Sequence, residues 1–240
     1  DQSGMTDEEA LKVFEEYFSI FPWDYLPKNA EGFDMGCGTG RWARWVAPRI
    51  GHLHCIDPST AINIAQKKLY GCENVTFHTA SVDSTNLRQN SQDFGYSLGV
   101  LHHLPNTITA IQSCVKLLKP GAPLLLYLYY AFDNRPWWFI KLWQISNFVR
   151  KIISRLPSGL KHFVTDIIAS LIYWPLAKLS NFIEFIGLSV ANLPLSFYRH
   201  HNFYTMRTDA RDRFGTPLEK RFTRTQIIKM MKLAGLINVR

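Results

Sequence analysis

Three glycines at alternating positions follow an acidic residue early in the chain. Residues 32–41 read GFDMGCGTGR, and an apolar run that meets glycines predicts a strand, a tight loop and then a helix. Gly36, Gly38 and Gly40 leave room for a ligand to approach the backbone and tolerate positive φ angles. The Asp34 carboxylate would repel phosphates, so this loop suits a cationic ligand, such as one that carries an amino group and a sulfonium.

Two other glycine-rich motifs do not fit this spacing. The dinucleotide pattern G-x-G-x-x-G would need a small residue where Arg41 stands, and the P-loop would need Gly-Lys-Ser/Thr, which is absent. The segment is therefore not predicted to bind a dinucleotide or a nucleoside triphosphate in the manner of those motifs.

A second acid stands at the end of the next predicted strand. Residues 52–57 read HLHCID, and the interval from Gly36 to Asp57 is close to the roughly 20 residues at which an acid accepts hydrogen bonds from ribose hydroxyls. The alternative is that Asp57 only caps the helix that follows. The preceding glycine loop favours the ribose interpretation.

The motif D-M-G-C-G-T-G resembles the first motif of class I S-adenosylmethionine (SAM)-dependent methyltransferases, in particular their small-molecule, type 11 (UbiE-like) branch. The segment 93–104 resembles their fourth-strand motif, and Ala122 replaces the second glycine of their L-K-P-G-G turn. The resemblance covers residues 33–130 nearly completely. It implies SAM as cofactor, S-adenosylhomocysteine as product, and methyl transfer to O, N or C of a small or medium-sized, apolar, aromatic or amphiphilic acceptor.

The resemblance also implies which residues bind the cofactor. They lie in the loop and at the ends of the predicted strands: Asp34, Gly36, Cys37, Gly38, Gly40, Asp57, Pro58, Ser81, Val82, Asp83, Leu98 and His103. Asp83 would accept from the adenine amine and Val82 would pack on the ring, since a desolvated amine needs an acceptor; the alternative for Asp83 is a turn residue. The carbonyl near Leu98 would accept from the cofactor's amino group.

Four residues are candidates for removing a proton from the acceptor. His103, ahead of His102, follows the fourth strand at the carboxyl edge of the sheet, where ligands bind and where a histidine can act as a base. For both histidines a packing role is the favoured alternative. His200 and Tyr198 belong to a polar and aromatic cluster further along the chain.

The same cluster, together with an upstream tryptophan, supplies the residues predicted to contact the substrate, which are Arg199, His201, Tyr204 and Trp138. Metal binding by His200 and His201 is not expected, because adjacent side chains diverge and no third ligand is apparent.

Alternation of strands and helices from Phe33 to Tyr130 predicts an α/β fold, a doubly wound, mostly parallel Rossmann-like sheet with an inserted α-helical lid after the fifth strand. The predicted core covers residues 1–133 and 222–240, with an N-terminal helix over 6–20 and a sixth strand over 236–239. The predicted lid and substrate-recognition region covers residues 134–221.

The inserted region is apolar and basic. An amphipathic helix is predicted over 136–156, a second over 160–174 that ends before Pro175, and a third over 176–191. The longest uncharged stretch of this inserted region, residues 185–198, has 14 residues. This is short of the roughly 20 residues that span a bilayer, so no transmembrane helix is predicted in it. Packing as a lid is favoured; peripheral contact with an anionic membrane is the alternative.

The 240 residues carry a net charge of +8, which permits an anionic partner without naming one. Four cysteines without metal-ligand spacing favour reduced thiols and a cytoplasmic location, with membrane association as the alternative. A nucleic-acid substrate is not expected, because no Asn/Asp-Pro-Pro-aromatic segment follows the fourth strand. Two other functions stay open: an inactive SAM-binding scaffold or partner subunit, and a membrane-surface lipid or quinone-like methyltransferase. The oligomeric state is not predicted.

Overall fold

The computed structural model describes residues 6–239. Its centre is a five-stranded sheet in which all strands are parallel, in the order β3-β2-β1-β4-β5. The strands are β1 Glu31–Met35, β2 His52–Ile56, β3 Val75–His78, β4 Phe94–Leu98 and β5 Leu124–Tyr127. The predicted parallel α/β fold is confirmed. Because the strand order reverses at β1, the loop after β1 lies where ligands bind in such sheets.

Nine α-helices are found within the described residues. They are α1 Asp7–Phe18, α2 Ala43–Val46, α3 Ile62–Lys68, α4 Thr107–Leu117, α5 Trp137–Ile153, α6 Ser158–Ile168, α7 Trp174–Phe185, α8 Phe203–Gly215 and α9 Arg224–Leu233. The chain divides into two compact units. Residues 6–131 and 220–239 form the sheet unit, and residues 132–219 form the helical unit.

The sheet is buried on both faces. Phe94 and Tyr96 pack in a cluster with residues of α1, α2 and α3, whereas Phe33 and Met35 pack in a second cluster with residues of α4 and α9. Alternate residues of a strand point to opposite faces, and a parallel sheet covered on both sides requires apolar residues at both. This two-sided burial fixes the strand ends that carry the candidate site.

Capping residues begin the first and last helices. The Thr6 hydroxyl accepts from the Glu9 amide at 3.2 Å, and Glu9 returns the bond to the Thr6 amide at 3.1 Å. Thr223 and Gln226 form the same reciprocal pair at the start of α9. Each pair satisfies two backbone amides that a helix start leaves unbonded.

The predicted sixth strand is not formed. Residues 236–239 are irregular, and Asn238 has a φ of 55°, which is incompatible with extended backbone. Leu236 packs on the second apolar cluster, while Ile237 is 80% exposed. A single parallel bridge between Tyr130 and Phe222 follows β5.

In the helical unit, the predicted helix end before Pro175 is wrong. A π-helical turn, Ala169–Tyr173, joins α6 to α7, and Pro175 lies in the first turn of α7. In this wider turn the Trp174 amide donates to the Ala169 carbonyl, five residues back, and the helix continues into α7. The resulting helix, Ser158–Phe185, is long and apolar enough to cross a membrane by length and composition. This helix does not stand out in the sequence as one uncharged stretch, because Asp166 and Lys178 interrupt it.

One face of this long helix packs on α8. Four buried residues of α6, the π-helical turn and α7 belong to the interior of this unit, together with Met206, Ala210 and Phe214 of α8, and they are Thr165, Ala169, Tyr173 and Ala177. On α5, the apolar face that the sequence predicts to pack inside the protein is largely exposed. Of its residues Ile153 is buried, but Trp138, Leu142, Ile145, Val149 and Ile152 are exposed.

Candidate functional site

The loop after β1 is held open by three glycines with positive φ angles, 83° at Gly36, 52° at Gly38 and 74° at Gly40. A Cβ on Gly36 would lie 2.5 Å from a methyl carbon of Val100, and one on Gly40 would lie 3.1 Å from Ala65. A Cβ on Gly38 would meet no atom within 4 Å. Two glycines therefore permit close packing, and Gly38 is the one whose missing side chain leaves open space for a ligand.

Asp57 ties this loop to the end of β2. Its Oδ2 accepts from the Gly38 amide at 2.9 Å. Its Oδ1 accepts from the Ser59 amide at 2.8 Å and from the Ser59 hydroxyl at 2.6 Å. Helix α3 begins at Ile62 with Ala61 as its N-cap, so Asp57 does not cap α3. A carboxylate has about four acceptor positions, which leaves capacity for a ribose hydroxyl beside Gly38.

Asp34 is a buried acid that lies beside the Tyr96 hydroxyl without forming a hydrogen bond of good geometry to it. It lies in β1 and is 1% exposed, and neither of its carboxylate oxygens has a partner among residues 6–239. Burial raises the pKa of Asp34 to about 8; the adjacent Tyr96 hydroxyl opposes this rise, and the negative charge of Asp57 adds to it. Such a group costs stability unless a donor or a cation reaches it.

Tyr96 is the residue that sequence reasoning missed at this site. It pairs with Asp34 across β1 and β4 and is fully buried, and its hydroxyl also lacks a hydrogen bond in the described part of the chain. The adjacency of the first and fourth strands was predictable. The usable signal was a tyrosine in the middle of an otherwise buried strand, since a buried hydroxyl normally has a partner.

Cys37 follows Gly36 in the loop, and its side chain is buried in the core. A hydrogen bond with Cys55 and burial both raise the pKa of the Cys37 thiol. The thiol is therefore neutral and inert, and the contribution of Cys37 to a ligand is restricted to its backbone.

The turn after β3 carries the residues predicted to contact adenine. Ser81 and Val82 are half-buried and Asp83 is exposed. The Ser81 hydroxyl donates to Asp83, which lowers the pKa of this carboxyl, and the Ser81 amide donates to the Ser84 hydroxyl at 3.1 Å. Asp83 is thus an ionised acceptor at the same edge of the sheet as Asp57. Its role toward adenine stays a prediction.

The segment after β4 contains the two adjacent histidines. Leu98 is half-exposed at the strand end, and His103 is half-buried. His102 is fully buried and stacks on Tyr129, with 3.8 Å between ring centroids. Burial, and then the charges of His103 and Arg221, lower the pKa of His102 to about 3. A base with so low a pKa is weak, so the geometry favours His103 over His102 as the base.

Replacing His102 by phenylalanine is expected to preserve the fold and to reduce its acid sensitivity. Neither ring nitrogen of His102 has a partner within residues 6–239, so an apolar ring removes an uncompensated burial cost. Below pH 6.5 the unfolded chain binds a proton that the folded His102 does not. The free energy of unfolding therefore decreases as the pH is lowered. At pH 4 His102→Phe should therefore retain about 3 kcal/mol more stability, relative to pH 7, than the unsubstituted chain.

Urea unfolding at the two pH values measures this difference. His162→Phe, at an exposed histidine of the helical unit, is the matched control and should leave the pH dependence unchanged. A pH dependence in His102→Phe equal to that of the unsubstituted chain would contradict the assignment of a neutral, unpartnered His102.

The helical unit contains the other predicted residues. The Tyr198 hydroxyl donates to Asp209 at 3.0 Å. Tyr204 is half-buried and Trp138 is 39% exposed. The structure gives Tyr198 a structural contact within the unit, and the catalytic and substrate roles of these residues stay predictions.

Arg199 and His200 are brought together by one carboxylate. Both lie 2.8 Å from the same Glu184 oxygen, and His201 Nδ1 lies 2.9 Å from the Phe197 carbonyl oxygen. Glu184 therefore already neutralises much of the charge that Arg199 would offer to an anionic group. Within residues 6–239, no group of three or more His, Cys, Asp and Glu side chains is placed to hold a metal ion.

The donor and acceptor set at the sheet edge fits SAM. The unpartnered Asp34 matches a cationic ligand, Asp57 matches ribose hydroxyls, and the space at Gly38 allows the approach of a ligand to the backbone. A phosphate ligand would meet the Asp57 carboxylate at this loop and would keep the buried Asp34 protonated, so it fits less well than a cationic ligand. Asp34 lies in β1, Gly38 lies in the loop after it, and Asp57 directly follows β2.

The chain is similar in sequence to known methyltransferases. Residues 33–126 match a family model described as a methyltransferase domain. Phosphoethanolamine N-methyltransferase of Plasmodium falciparum is 29% identical over 116 residues, which cover 47% of this chain and 44% of that protein. Ubiquinone biosynthesis O-methyltransferase of Pectobacterium carotovorum is 24% identical over 175 residues, which cover 62% and 64%.

Among solved structures, a SAM-dependent methyltransferase of Aquifex aeolicus matches with 21% identity and a TM-score of 0.43, covering 53% of this chain and 69% of that one. The chain spans about half the length of the curated relatives it matches. Residues 33–126 therefore match a methyltransferase domain, and the parallel sheet and the acid-and-glycine loop are those expected of the class I SAM-dependent type.

Proposed function

We propose that this protein transfers the methyl group of SAM to a small or medium-sized acceptor of apolar, aromatic or amphiphilic character and releases S-adenosylhomocysteine. The observation that carries the proposal is the buried, unpartnered Asp34 beside the loop of Gly36, Gly38 and Gly40. An acid with this burial cost is accounted for by a ligand that brings a positive charge. The methyltransferase-domain match supports the same conclusion.

When bound, SAM supplies an activated methyl group with its own leaving group. The residues of the chain then have to bind the cofactor, orient the acceptor toward the methyl group and exclude water. Asp34 would receive the ammonium of the methionine moiety, and Asp57 would receive a ribose hydroxyl while it holds the Gly38 amide. Asp83 and Val82 would bind adenine. Alignment of this kind is the main contribution of the protein in a single-step transfer.

Removal of a proton from the acceptor would fall to His103. It follows β4 at the edge of the sheet, and the neighbouring His102, with a pKa lowered to about 3, is too weak a base at neutral pH. Acceptors that are already nucleophilic would not need this base. Tyr198, His200, Arg199, His201, Tyr204 and Trp138 remain proposed contacts to the substrate.

The relatives suggest which acceptors to try. Their names include phosphoethanolamine N-methylation and ubiquinone biosynthesis O-methylation, and we propose acceptors of both classes, an amino alcohol phosphate and a phenol. A cytoplasmic location and the lack of a nucleic-acid substrate are part of the same proposal. A phenol carries a ring that an apolar region would bind, whereas an amino alcohol phosphate carries an anionic group that a cationic side chain would bind.

Transfer of labelled methyl from SAM to such a panel tests the proposal. We expect product with at least one acceptor class, lost in Asp57→Ala and retained in Asp24→Asn, a matched change at an exposed acid. His103→Asn should lower the rate for a phenol more than for an amine that is already deprotonated. Tight SAM binding without transfer to any acceptor would instead support a SAM-binding scaffold.

A further inference from the structure

Helix α5 presents an apolar face to solvent. Seven large apolar side chains of this helix are exposed, from 38% at Val149 to 76% at Trp137, and they are Trp137, Trp138, Leu142, Ile145, Phe148, Val149 and Ile152. Their spacing of three, four and seven residues places them on one side of the helix. The opposite side is anchored, since the Arg150 guanidinium is buried and donates to the Thr216 carbonyl at 2.6 Å and the Pro217 carbonyl at 3.0 Å.

The long helix formed by α6 and α7 presents a second apolar stripe. Exposed apolar residues recur every three or four positions along it, and they are Leu160, Phe163, Ile167, Leu171, Trp174, Phe182 and Phe185. Lys178 occupies the position between Trp174 and Phe182. Its buried side packs on α8 through Thr165, Ala169 and Ala177. The packing therefore fixes the stripe outward. The α5 face and this stripe are the two exposed apolar faces of the helical unit, and both are meant by the apolar surface below.

The exposed apolar surface reaches the size of patches that are often functional. Aromatic side chains have areas of roughly 150–250 Å², so the five exposed by more than half, Trp137, Phe148, Phe163, Phe182 and Phe185, alone expose on the order of 500 Å². The largest patch on a typical soluble monomer is of similar total size and is often functional. Exposure at this level on two helices indicates that something else covers them.

Positive charge accompanies this surface. Lys141 projects from the α5 face, and Lys151 and Arg155 lie along its border; all three are exposed. No acid occurs from residue 134 to 165, and residues 132–219 contain eleven Lys or Arg against six Asp or Glu. Two copies of this surface would bring like charges together, whereas an anionic lipid surface complements both the charge and the apolar side chains.

A spanning orientation does not fit the packing of the helical unit. Asp166 in α6 holds Arg211 of α8 by two hydrogen bonds, of 2.8 and 2.7 Å. Insertion of α6 and α7 would therefore bring α8 into the hydrocarbon, with Arg207, Asp209 and Arg211 among its charges, at high cost. A helix buried on one side and apolar on the other fits the interface between lipid headgroups and chains.

We propose that the helical unit docks peripherally on anionic bilayers through the apolar surface, with Lys141, Lys151 and Arg155 contacting lipid headgroups. Docking is a property of the helical unit and is separate from SAM binding by the sheet unit. A protein that both docks and transfers methyl groups would meet amphiphilic acceptors at the membrane surface, where they partition.

Co-sedimentation of the full chain with vesicles tests the docking. Phosphatidylcholine vesicles that contain phosphatidylglycerol should bind the protein, and phosphatidylcholine alone should bind it much more weakly. Lys141→Gln/Lys151→Gln should weaken binding about thirtyfold, and Ile145→Glu/Phe148→Glu or Phe163→Glu/Phe182→Glu at least tenfold. Brominated lipid chains should quench tryptophan fluorescence, and Trp137→Phe should reduce the quenching.

Matched controls lie in the sheet unit, at residues that are equally exposed. Lys67→Gln/Lys68→Gln and Ile64→Glu/Tyr70→Glu should bind vesicles as the unsubstituted chain does. Equal losses in variants and controls, or dimerisation in solution that the apolar-surface variants abolish, would overturn the proposal. SAM binding, measured by calorimetry, should be unchanged in every surface variant. A loss of vesicle binding with intact SAM binding therefore concerns docking alone, and a loss of SAM binding concerns the proposed methyl transfer.

Discussion

Asp34→Asn is expected to weaken SAM binding about a hundredfold and to stabilise the free protein. The carboxylate is buried and unpartnered, so a bound ammonium would lose a charged hydrogen bond of a kind whose loss costs this much. In the free protein the pKa of Asp34 is raised to about 8. The folded state is then the more protonated one between pH 4 and 8, so stability falls as pH rises through this range.

The size of the stability gain follows from the pKa. The rise of the Asp34 pKa corresponds to a cost of roughly 4 kcal/mol at pH 7. The asparagine amide has its own burial cost of about 2 kcal/mol, so the net gain is expected to be about 2 kcal/mol. Urea unfolding at pH 5, 7 and 8 should show that the loss of stability with rising pH disappears in the variant.

Asp24→Asn, at an exposed acid, is the matched control and should change neither property. Unchanged SAM affinity in Asp34→Asn would remove Asp34 from the site. Lower stability of the variant at pH 8 would show that the carboxylate has a partner in the free protein.

Alanine at Gly36 and at Gly38 should separate stability from binding. At Gly36 the new Cβ would lie 2.5 Å from Val100 at a φ of 83°, so steric overlap and backbone strain together should cost about 3–5 kcal/mol of stability. At Gly38 the Cβ would meet no atom within 4 Å. The only cost in stability is therefore the backbone strain of a φ of 52°, about 1 kcal/mol.

The effect on SAM should be the reverse. Gly38→Ala is expected to lower SAM affinity at least tenfold, since its methyl group occupies the space through which the ligand approaches the backbone. Thermal unfolding and calorimetry of the two variants measure both quantities. Full SAM affinity in Gly38→Ala would mean that the cofactor does not approach this part of the loop.

The sequence was sufficient for the five strands of the sheet and for choosing the candidate cofactor-binding acids, because each depends on local patterns. Strand alternation and the spacing from Gly36 to Asp57 are read directly from neighbouring residues. The hydrogen bond from Gly38 to Asp57 and the pairing of Asp34 with Tyr96 depend on strand register, which no local pattern specifies.

The helical unit shows where local reasoning fails. Proline normally ends a helix, but the π-helical turn before Pro175 re-pairs the backbone, and this turn has no sequence signal of its own. The apolar pattern of α5 was read correctly as amphipathic. Its outward direction could not be read, because periodicity shows that a face is apolar and does not show what covers it.

The most direct test of SAM binding is calorimetric titration of the full chain with SAM and with S-adenosylhomocysteine, alongside Asp57→Ala. Because Asp57 both holds the Gly38 amide and offers acceptors to ribose, we predict saturable binding of both ligands to the unsubstituted chain and its loss in the variant. Absence of binding by a folded, unsubstituted chain would contradict a functional SAM site. Equal binding by the Asp57→Ala variant would place the ligand elsewhere.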